Sequence, residues 1–452
     1  MAAYREISPV MGAVDGVVTP PGSKSITNRA LLCAAMAEGL SQLEGVLDSD
    51  DTHVMIESLR RLGVDVIRDG NMTKVFRSEC VVATDDDVCE LFVGNSGTTV
   101  RFLTAMLATG ATGRRRFRLD GVARMRERPI GDLIRALQSL GAAIRSESEN
   151  GCPPLLLNAA ELRGGTVSVH GDVSSQFLSG LLMAAPYTTG GGALTIEVEP
   201  DATGQRMLVS TPYVTMTLAV MRAFGAKIDT DAALTRFTVS NATKDRYHGR
   251  AYRIEPDASA ASYFLATAAI TGGRVTIPGL SADSLQGDVR FADVLAGMGC
   301  RVRHDADRIE LRGPADGVLR GTTVEMCSIS DTAQTLAVVA LFADSPTRIT
   351  GVGNMRFKET DRIAATATEL RRLGATVAEY DDGLLIEPLS PDQWERAEPI
   401  VIETYDDHRM AMSFAQAGLR IPGVRIADPG CTAKTYPGFF DDFERLCRSA
   451  DE

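Results

Sequence analysis

Histidine and paired cysteine are scarce in this chain, and long apolar runs are missing. Five histidines occur in 452 residues, none in an H-x-x-x-H pair, which argues against a metal enzyme with histidine ligands. The eight cysteines form no C-x-x-C pair, so we expect reduced thiols rather than a disulfide framework or a zinc site. No apolar run reaches the ~18 residues that a membrane-spanning helix needs. The sequence therefore predicts neither a metal site nor membrane insertion.

Positive charge is also in deficit. The chain has 47 Lys and Arg against 59 Asp and Glu, a formal charge of −12. An acidic chain is not expected to bind nucleic acid, which needs a basic surface. The N-terminus shows neither a signal peptide nor a transit peptide, so a cytoplasmic location is expected. The length predicts two or three domains.

A unit of about 75 residues recurs along the chain. Five amphipathic helices, such as "TELRRLGATVAEYDDG", each end at a glycine and lead into an alternating strand. A sixth helix, "DDFERLC", lies where the chain stops. The five glycines are Gly63, Gly141, Gly225, Gly299 and Gly374.

An apolar helix precedes each amphipathic one, and every apolar helix begins with Ser, Asn or Asp, the residues that cap helix N-termini. Helices that are apolar nearly all round are buried. The unit is thus strand, buried helix, strand, amphipathic helix, strand. A solenoid is the simplest interpretation of a repeat. Two α/β domains of three units each suit the chain length better, with a join near residues 252–262.

The stretch "PPGSKSITNRALL" (20–32) resembles a phosphate-binding loop, but Ser23 separates Gly22 from Lys24, so the Walker pattern fails. Similar polar residues begin other buried helices. A helix N-terminus attracts anions, and several such N-termini at matching places in a repeat indicate an anion site more strongly than one N-cap would. The residues are Lys24, Ser25, Arg29, Asn95, Gly97, Thr98, Arg101, Ser174, Ser175, Gln176, His408 and Arg409.

Three loops add cations: "GVARMRERPIGDL", "GVGNMRFKETDR" and "DPGCTAKTYPGFF". Arginine binds phosphate or carboxylate through two hydrogen bonds, and lysine acts as a point charge. The expected ligand is small and carries several negative charges. A helix starting near Thr360 would place Lys358 and Arg362 on one face. For Arg124, Arg126 and Arg128 a solvated charge run remains the alternative.

Two carboxylates are candidates for proton transfer. Asp331 begins the helix in "SDTAQTL", and Glu359 follows Lys358. A carboxylate beside cations stays ionised and can act as a base. For Asp331, plain helix capping is the competing interpretation. His408 could carry a proton or only orient a ligand.

Eight segments, in order from about residue 18 to residue 440, resemble the 3-phosphoshikimate 1-carboxyvinyltransferases, or EPSP synthases. They are "PGSKSITNRALL", "GNSGTTVRFL", "RMRERPIGDL", "SSQFLSGLLMA", "EPDASAASYF", "KETDRI", "DDHRMAMSF" and "CTAKTYP".

The resemblance implies an α/β fold of two domains, each with three βαβαββ units in the inside-out barrel of the enolpyruvyl transferases. One domain would comprise residues 23–254, and the other residues 1–22 with 255–452, with a hinge near 20–23 and 252–257. The active site would lie in the cleft between the domains. The implied reaction joins the enolpyruvyl group of phosphoenolpyruvate to shikimate 3-phosphate and releases phosphate, through a tetrahedral ketal and without a cofactor or metal. We expect a cytoplasmic monomer that glyphosate inhibits.

The resemblance also implies roles for particular residues. Shikimate 3-phosphate would bind Lys24, Ser25, Arg29, Ser174, Ser175, Gln176, Ser210, Tyr213, Asp331, Asn354 and Lys358. Phosphoenolpyruvate would bind Lys24, Asn95, Gly97, Arg128, Gln176, Arg362, Arg409 and Lys434. The catalytic group would be Asp331, Glu359, Lys24 and His408. Asp331 would take the proton of the attacking hydroxyl, and Glu359 with Lys24 would move the proton of the enolpyruvyl methylene.

Two alternatives and one departure remain. The sister enzyme that enolpyruvylates UDP-N-acetylglucosamine usually carries a reactive cysteine in the loop before its Arg-Pro, whereas residues 121–130 contain none. A non-catalytic module that binds sugar phosphates would need neither Asp331 nor Glu359. The departure is Phe102, which stands where family members often have proline, and it bears on inhibitor sensitivity.

Overall fold

The computed structural model describes residues 4–77, 88–111, 116–159, 161–171, 174–200, 204–206, 208–395 and 398–450. Helices and short strands alternate along these residues. The α-helices are α1 (Lys24–Met36), α2 (Asp50–Arg61), α3 (Gly97–Ala108), α4 (Gly131–Ser139), α5 (Ser175–Ala184), α6 (Thr211–Ala223), α7 (Ala258–Thr271), α8 (Phe291–Gly297), α9 (Ala333–Val339), α10 (Arg362–Arg372), α11 (His408–Ala415) and α12 (Phe439–Arg448).

Most strands have three to seven residues. They are β1 (Tyr4–Glu6), β2 (Asp15–Val17), β3 (Ser41–Glu44), β4 (Val64–Asp69), β5 (Met72–Arg77), β6 (Cys89–Phe92), β7 (Arg116–Asp120), β8 (Ala143–Ser146), β9 (Leu155–Asn158), β10 (Arg163–Val169), β11 (Thr189–Val198), β12 (Ile228–Thr230), β13 (Arg236–Ser240), β14 (Ala251–Arg253), β15 (Arg274–Pro278), β16 (Arg301–His304), β17 (Arg308–Arg312), β18 (Thr323–Glu325), β19 (Thr347–Thr350), β20 (Val377–Tyr380), β21 (Gly383–Ile386), β22 (Ile400–Ile402) and β23 (Val424–Ala427).

The strands form small mixed sheets that repeat one topology. In the order β6-β7-β9-β8, the pair β6 and β7 is parallel and the other pairs are antiparallel. Four more four-stranded sheets follow the same rule. In the sheet β1-β23-β22 the parallel pair is kept, and β1 pairs antiparallel with β23 at the position that the final hairpin takes in the other sheets. The described residues therefore contain the βαβαββ repeat that the resemblance implies, with one more strand than the strand, helix, strand, helix, strand unit of the sequence pattern.

Two sheets take their first strand from a distant part of the chain. Strand β2 pairs in parallel with β15, and Asp15 lies opposite Arg274. Strand β14 pairs in parallel with β3, at the other end of its unit. The chain divides correspondingly into two compact units. We call Gly22–Ile254 the continuous unit, and Met1–Pro21 with Glu255–Glu452 the split unit.

The apolar helices form the interior of each unit. Helix α3 packs on α1 and α5 in the continuous unit, and α9 packs on α7 and α11 in the split unit. All 14 residues of α7 and all 12 of α3 are buried, as the sequence predicts. The five glycines that end the amphipathic helices have φ between 80° and 105°, a left-handed conformation that suits glycine.

Side chains cap five of the six buried helices. Ser23, Ser96, Ser174, Asp257 and Asp407 each accept a hydrogen bond from a backbone N–H in the first turn. Helix α9 is the exception, because a 3-10 turn, Cys327–Thr332, precedes it and no side chain caps it. At the N-termini of the other five buried helices, the polar residues therefore include side chains that cap the helix.

Candidate active site

The N-terminus of α3 gathers three predicted ligand-binding residues of the continuous unit. The Arg128 Nη1 donates to the backbone oxygen of Asn95 at 2.9 Å and to its Oδ1 at 3.2 Å. Gly97 is the first residue of α3, and a Cβ atom there would lie 2.4 Å from the Arg128 Nη2. The missing side chain of Gly97 therefore makes room for the buried guanidinium of Arg128.

Gln176 extends this cluster from α5. Its Oε1 accepts a hydrogen bond of 2.6 Å from the Arg101 Nη1, and its Nε2 donates to the Thr98 Oγ1 at 3.3 Å. The side chain of Ser174 caps α5 by accepting the N–H of Gln176. Ser175, the first residue of α5, is buried beside it. The N-termini of α3 and α5 thus form one polar surface.

Arg29 joins the start of α1 to the start of α6. Its Nε donates to the Thr217 Oγ1 at 2.7 Å, and its other nitrogens donate to the backbone oxygens of Ser25 and Tyr213 at 2.9 and 3.2 Å. Burial lowers the pKa of Arg29 to about 10. Ser210 precedes α6, and its carbonyl accepts the Tyr213 N–H at 3.0 Å.

Lys24, the first residue of α1, pairs with an acid that the sequence analysis missed. Its Nζ lies 3.4 Å from the Asp51 Oδ2, and the Asp51 side chain is buried in the first turn of α2. The carboxylate holds the ammonium group at the N-terminus of α1. The sequence signal was the acidic start of α2, "SDD", which alone is typical of a capped helix.

In the arginine-rich loop after β7, two arginines fit the interpretation as a solvated charge run and one fits the interpretation as a ligand-binding residue. Arg124 pairs with Glu127 at 2.7 Å, and Arg126 bonds both oxygens of Asp120 at 3.0 and 2.8 Å. These two are surface ion pairs, as the charge-run interpretation expects. Arg128 alone of the three is buried and joins the N-terminus of α3.

A second cluster, in the split unit, centres on Arg362. Its side chain is 2% exposed and contacts three carboxylates: Asp407 at 2.7 Å, Glu359 at 2.8 Å and Asp331 at 3.3 Å. Burial alone would lower the pKa of Arg362, but the carboxylates of Asp407 and Glu359 outweigh burial and raise it. Arg362 therefore remains charged and fixes the positions of all three acids.

Arg409 holds Asp331 from the other side. Its Nη2 lies 2.8 Å from the Asp331 Oδ2, and its Nη1 donates to the backbone oxygen of Asp331 at 2.9 Å. Asp331 lies on the 3-10 turn before α9 and does not cap that helix. The capping interpretation of Asp331 is therefore wrong, and its carboxylate is oriented by two arginines.

Lys434 and Glu359 form the third part of this cluster. The Lys434 Nζ donates to the Glu359 Oε1 at 2.9 Å, while the Glu359 Oε2 accepts from Arg362. Lys434 ends the 3-10 turn Pro429–Lys434. The cluster thus combines three cations, Arg362, Arg409 and Lys434, with three carboxylates, Asp331, Glu359 and Asp407.

The turn before α11 shapes this cluster through its backbone. Tyr405 and Asp406 have φ of 55° and 53°, values that cost a non-glycine residue about 1–3 kcal/mol each. The buried carboxylate of Glu369 holds the turn, because it accepts the Tyr405 hydroxyl at 2.7 Å and the Glu403 N–H at 3.2 Å. Asp407 follows directly. His408 is 1% exposed and its Nδ1 lies 3.7 Å from the Asp407 Oδ1.

The segment before α10 contradicts the prediction that Lys358 and Arg362 lie on one face of a helix. Asp361 caps the helix, which begins at Arg362, so Lys358 lies outside it and shares no helical face with Arg362. Asn354 lies on the 3-10 turn Gly353–Phe357, and Lys358 follows that turn; both are half-buried. Arg356 is bound to Asp361 and Glu379, at 2.8 and 3.1 Å.

The sequence also agrees with a family model. The model of EPSP synthase (3-phosphoshikimate 1-carboxyvinyltransferase) matches residues 10–443. The chain belongs to the EPSP synthase family. The resemblance of the eight segments is thereby confirmed.

Relatives support the assignment along the whole chain. The 3-phosphoshikimate 1-carboxyvinyltransferase of Laribacter hongkongensis is 47% identical over 436 residues, covering 95% of this chain and 96% of the relative. The chloroplastic enzyme of the same name from Arabidopsis thaliana is 45% identical over 447 residues, covering 96% and 83%.

Solved structures confirm the fold class. An EPSP synthase from Acinetobacter baumannii has a TM-score of 0.75 at 26% identity and covers 98% of this chain and 97% of that one. The enolpyruvyl transferase NikO from Streptomyces tendae also has a TM-score of 0.75, at 20% identity and the same coverage, a likeness of fold alone.

The residues described here show no metal centre: no group of three or more His, Cys, Asp or Glu is placed to hold an ion. Within the same residues, no helix is long and apolar enough to cross a membrane. Among the described cysteines, Cys33, Cys152, Cys300 and Cys431 are free thiols, and Cys80 lies outside the described residues. Burial raises the pKa of Cys431 to about 12, as expected of an inert thiol in this EPSP synthase family member.

Proposed function

We propose that the protein transfers the enolpyruvyl group of phosphoenolpyruvate to the 5-hydroxyl of shikimate 3-phosphate, giving 5-enolpyruvylshikimate 3-phosphate and phosphate. This reaction belongs to the shikimate pathway, which leads to the aromatic amino acids. Membership of the EPSP synthase family supports it. The observation that carries it is the Asp331 carboxylate, a base held between Arg362 and Arg409.

The cations would hold two substrates that both carry phosphate. Arg362, Arg409 and Lys434 would bind phosphoenolpyruvate in the split unit, and their charge would stabilise the departing phosphate. Lys24, Asn95, Gly97, Arg128 and Gln176 would serve the same substrate from the continuous unit. Shikimate 3-phosphate would bind Lys24, Ser25, Arg29, Ser174, Ser175, Gln176, Ser210, Tyr213, Asp331, Asn354 and Lys358.

Proton transfer would proceed in two stages. Asp331 accepts the proton of the 5-hydroxyl as its oxygen bonds to carbon 2 of phosphoenolpyruvate, and the methylene carbon gains a proton from Glu359 or Lys24. The product of this stage is a tetrahedral ketal. In the second stage the new methyl group gives a proton back to Glu359 or Lys24, the bond from carbon 2 to the phosphate oxygen breaks, and phosphate leaves. His408, buried against Asp407, would orient the ligand or relay a proton.

The pairing of acids with cations suits both stages. Two arginines hold the Asp331 carboxylate in place as the proton acceptor. The bond from Lys434 to Glu359 places an acid and an ammonium group in contact, so a proton can be exchanged at that point.

A direct assay tests the proposal. The purified protein is mixed with phosphoenolpyruvate and either shikimate 3-phosphate or UDP-N-acetylglucosamine, and phosphate release and the enolpyruvyl product are followed by NMR. We expect turnover with shikimate 3-phosphate only. Turnover with the UDP-sugar alone would contradict the proposal in favour of the sister enzyme, and binding without turnover would favour a non-catalytic module.

Matched variants test whether turnover depends on the Asp331 carboxylate. Asp331→Asn should abolish turnover, whereas Asp316→Asn, at an exposed carboxylate bound to Arg320, should leave it unchanged. Equal activity of the two variants would remove Asp331 from the mechanism.

We further propose that glyphosate competes with phosphoenolpyruvate and that the protein acts as a cytoplasmic monomer. Phe102, the departure from the family pattern, is fully buried in α3 with the Arg29 guanidinium 5.2 Å from its ring centre. Replacing Phe102 with proline would remove that ring contact, and the change in the inhibition constant for glyphosate would measure the effect of the replacement. Light scattering after size exclusion gives the oligomeric state.

A further inference from the structure

A fourth carboxyl group lies behind Arg409, and the mechanism above assigns it no role. Asp288 belongs to the 3-10 turn Gly287–Arg290 of the split unit and is 4% exposed. Its Oδ2 accepts a short hydrogen bond from the hydroxyl of Ser259, the second residue of α7. A carboxyl buried this deeply is costly unless it is satisfied, so its position calls for a reason.

Ser259 connects this carboxyl to the candidate active site. Its Oγ lies 3.4 Å from the Arg409 Nη2, the same nitrogen that bonds the Asp331 Oδ2 at 2.8 Å. Since the serine hydroxyl donates to Asp288, its lone pairs face the guanidinium as acceptors. The side chains therefore form one line of polar contacts: Asp331, Arg409, Ser259, Asp288.

The fold holds the Asp288–Ser259 end of this line rigidly. The Gln286 Nε2 donates to the backbone oxygen of Pro256 at 2.6 Å, and its Oε1 accepts the Ala258 N–H at 3.0 Å. Gln286 thereby ties the turn that carries Asp288 to the first turn of α7, where Ser259 lies. The distance from Asp288 to Ser259 is thus fixed by bonds on both sides.

We propose that Asp288 is a positioning residue that acts through Ser259 to fix the Arg409 guanidinium and, with it, the Asp331 carboxylate. This inference rests on the function proposed above. Without the Ser259 contact, Arg409 would keep Asp331 at its Nη2 and Tyr263 at its Nη1, but the Nη2 would lose the contact behind it that sets its direction. The same contact sets how much negative charge Arg409 faces.

Charge gives the line a second effect. Burial raises the pKa of Asp288 to about 7; the nearby Asp331 and Asp257 also raise it, and the Ser259 bond and Arg409 lower it. These are the charged groups that face Asp288 from α7, from the turn before α9 and from α11, and Arg290 of its own turn is exposed. Ionisation of Asp288 therefore adds one negative charge beside Arg409 near neutral pH.

The test compares Asp288→Asn with wild type across pH 5.5 to 8.5. The amide keeps the shape and can accept the Ser259 hydroxyl, but it cannot ionise. We expect the ratio of wild-type to variant KM for phosphoenolpyruvate to be near one below pH 6 and to rise about fivefold by pH 8. Both proteins meet the same substrate ionisation at each pH, so that effect cancels in the ratio. The KM for shikimate 3-phosphate should change less.

Asp293→Asn is the matched control, since Asp293 is an exposed carboxylate on α8 that pairs with His304. Its KM ratio should stay flat over the pH range. A flat ratio for Asp288→Asn as well would overturn the charge effect.

A second variant tests the connection itself and serves if Asp288→Asn does not fold. Ser259→Ala removes the middle of the line, and we expect kcat to fall about tenfold. The double variant should be no slower than Ser259→Ala, because both changes break one path. Rate losses that multiply, or a Ser259→Ala variant with wild-type kcat, would contradict positioning through Ser259. An inactive wild type would instead refute the proposed function, so the two failures are distinguishable.

Discussion

Replacing Gly97 with alanine tests the packing at the start of α3. A Cβ atom at residue 97 would lie 2.4 Å from the Arg128 Nη2, 2.8 Å from its Cζ and 2.7 Å from the Arg101 Nη1. Ordinary contacts need about 3.5 Å, so the guanidiniums must move by roughly 1 Å. Both are buried and already bonded, Arg128 to Asn95 and Arg101 to Gln176.

The cost of that movement can be estimated from the bonds it breaks. A shift of about 1 Å takes the Arg128–Asn95 contacts beyond the range of a hydrogen bond. A hydrogen bond to a charged group contributes about 1.5–3 kcal/mol, which corresponds to a factor of roughly ten to 150 in affinity. We expect the KM for phosphoenolpyruvate to rise at least tenfold at saturating shikimate 3-phosphate. The fold should survive, because alanine is favourable within a helix.

Gly131→Ala is the control. Gly131 is also the first residue of a helix of the continuous unit, and a Cβ atom there would meet its nearest neighbour, the Arg135 Nη1, at 3.5 Å. Its kinetics should match wild type. A Gly97→Ala variant with unchanged KM and an intact circular dichroism spectrum would refute the crowding argument.

Other positions give separate predictions. Lys24→Ala should lose turnover yet give a native circular dichroism spectrum; an unfolded variant would contradict its place at a binding surface. The Asp288 carboxyl, with an ordinary pKa of 3.8 raised to about 7 by burial, stabilises the fold below pH 4 and loses that contribution as the pH rises to 7. The loss is about 4 kcal/mol, so urea melts of wild type should fall relative to Asp288→Asn over this range, and parallel curves would refute it. Glu369→Ala should lower kcat/KM about tenfold by releasing the strained Tyr405–Asp406 turn, and Glu369→Gln should recover part of the loss; equal kinetics for both variants would argue against that role.

The repeat and the buried helices were predictable from sequence because both depend on local periodicity. Glycine ends the amphipathic helices through its own backbone freedom, and the apolar helices show their burial in composition. The cations of the cluster were also visible, because Arg409 lies at the N-terminus of a buried helix and Arg362 and Lys434 lie in segments dense in cations.

The partners of those cations were not predictable, because they depend on distant parts of the chain. Asp407 caps α11 and also bonds Arg362, which lies 45 residues earlier, and only the first role has a local signal. Asp51 reads as an ordinary first-turn acid, although it pairs with Lys24. Asp331 was expected at a helix start, but the 3-10 turn before α9 moves that start to Ala333.

The pairing of strand β2 with the distant strand β15 has a consequence for folding during synthesis. The sheet that contains β2 cannot form until β15 has been synthesised, because Asp15 pairs with Arg274, 259 residues later in the chain. At Gly22 a Cβ atom would lie 3.5 Å from Ile254, and the Asp257 N–H donates to the Pro21 carbonyl at 2.8 Å, so the inserted segment leaves and re-enters at one spot. Once that segment has folded on the ribosome, its ends are tethered and the open loop shrinks to the length of a short linker. The entropic cost of closing that loop then falls by about 3 kcal/mol. The split unit therefore avoids most of the cost of having the continuous unit inserted into it.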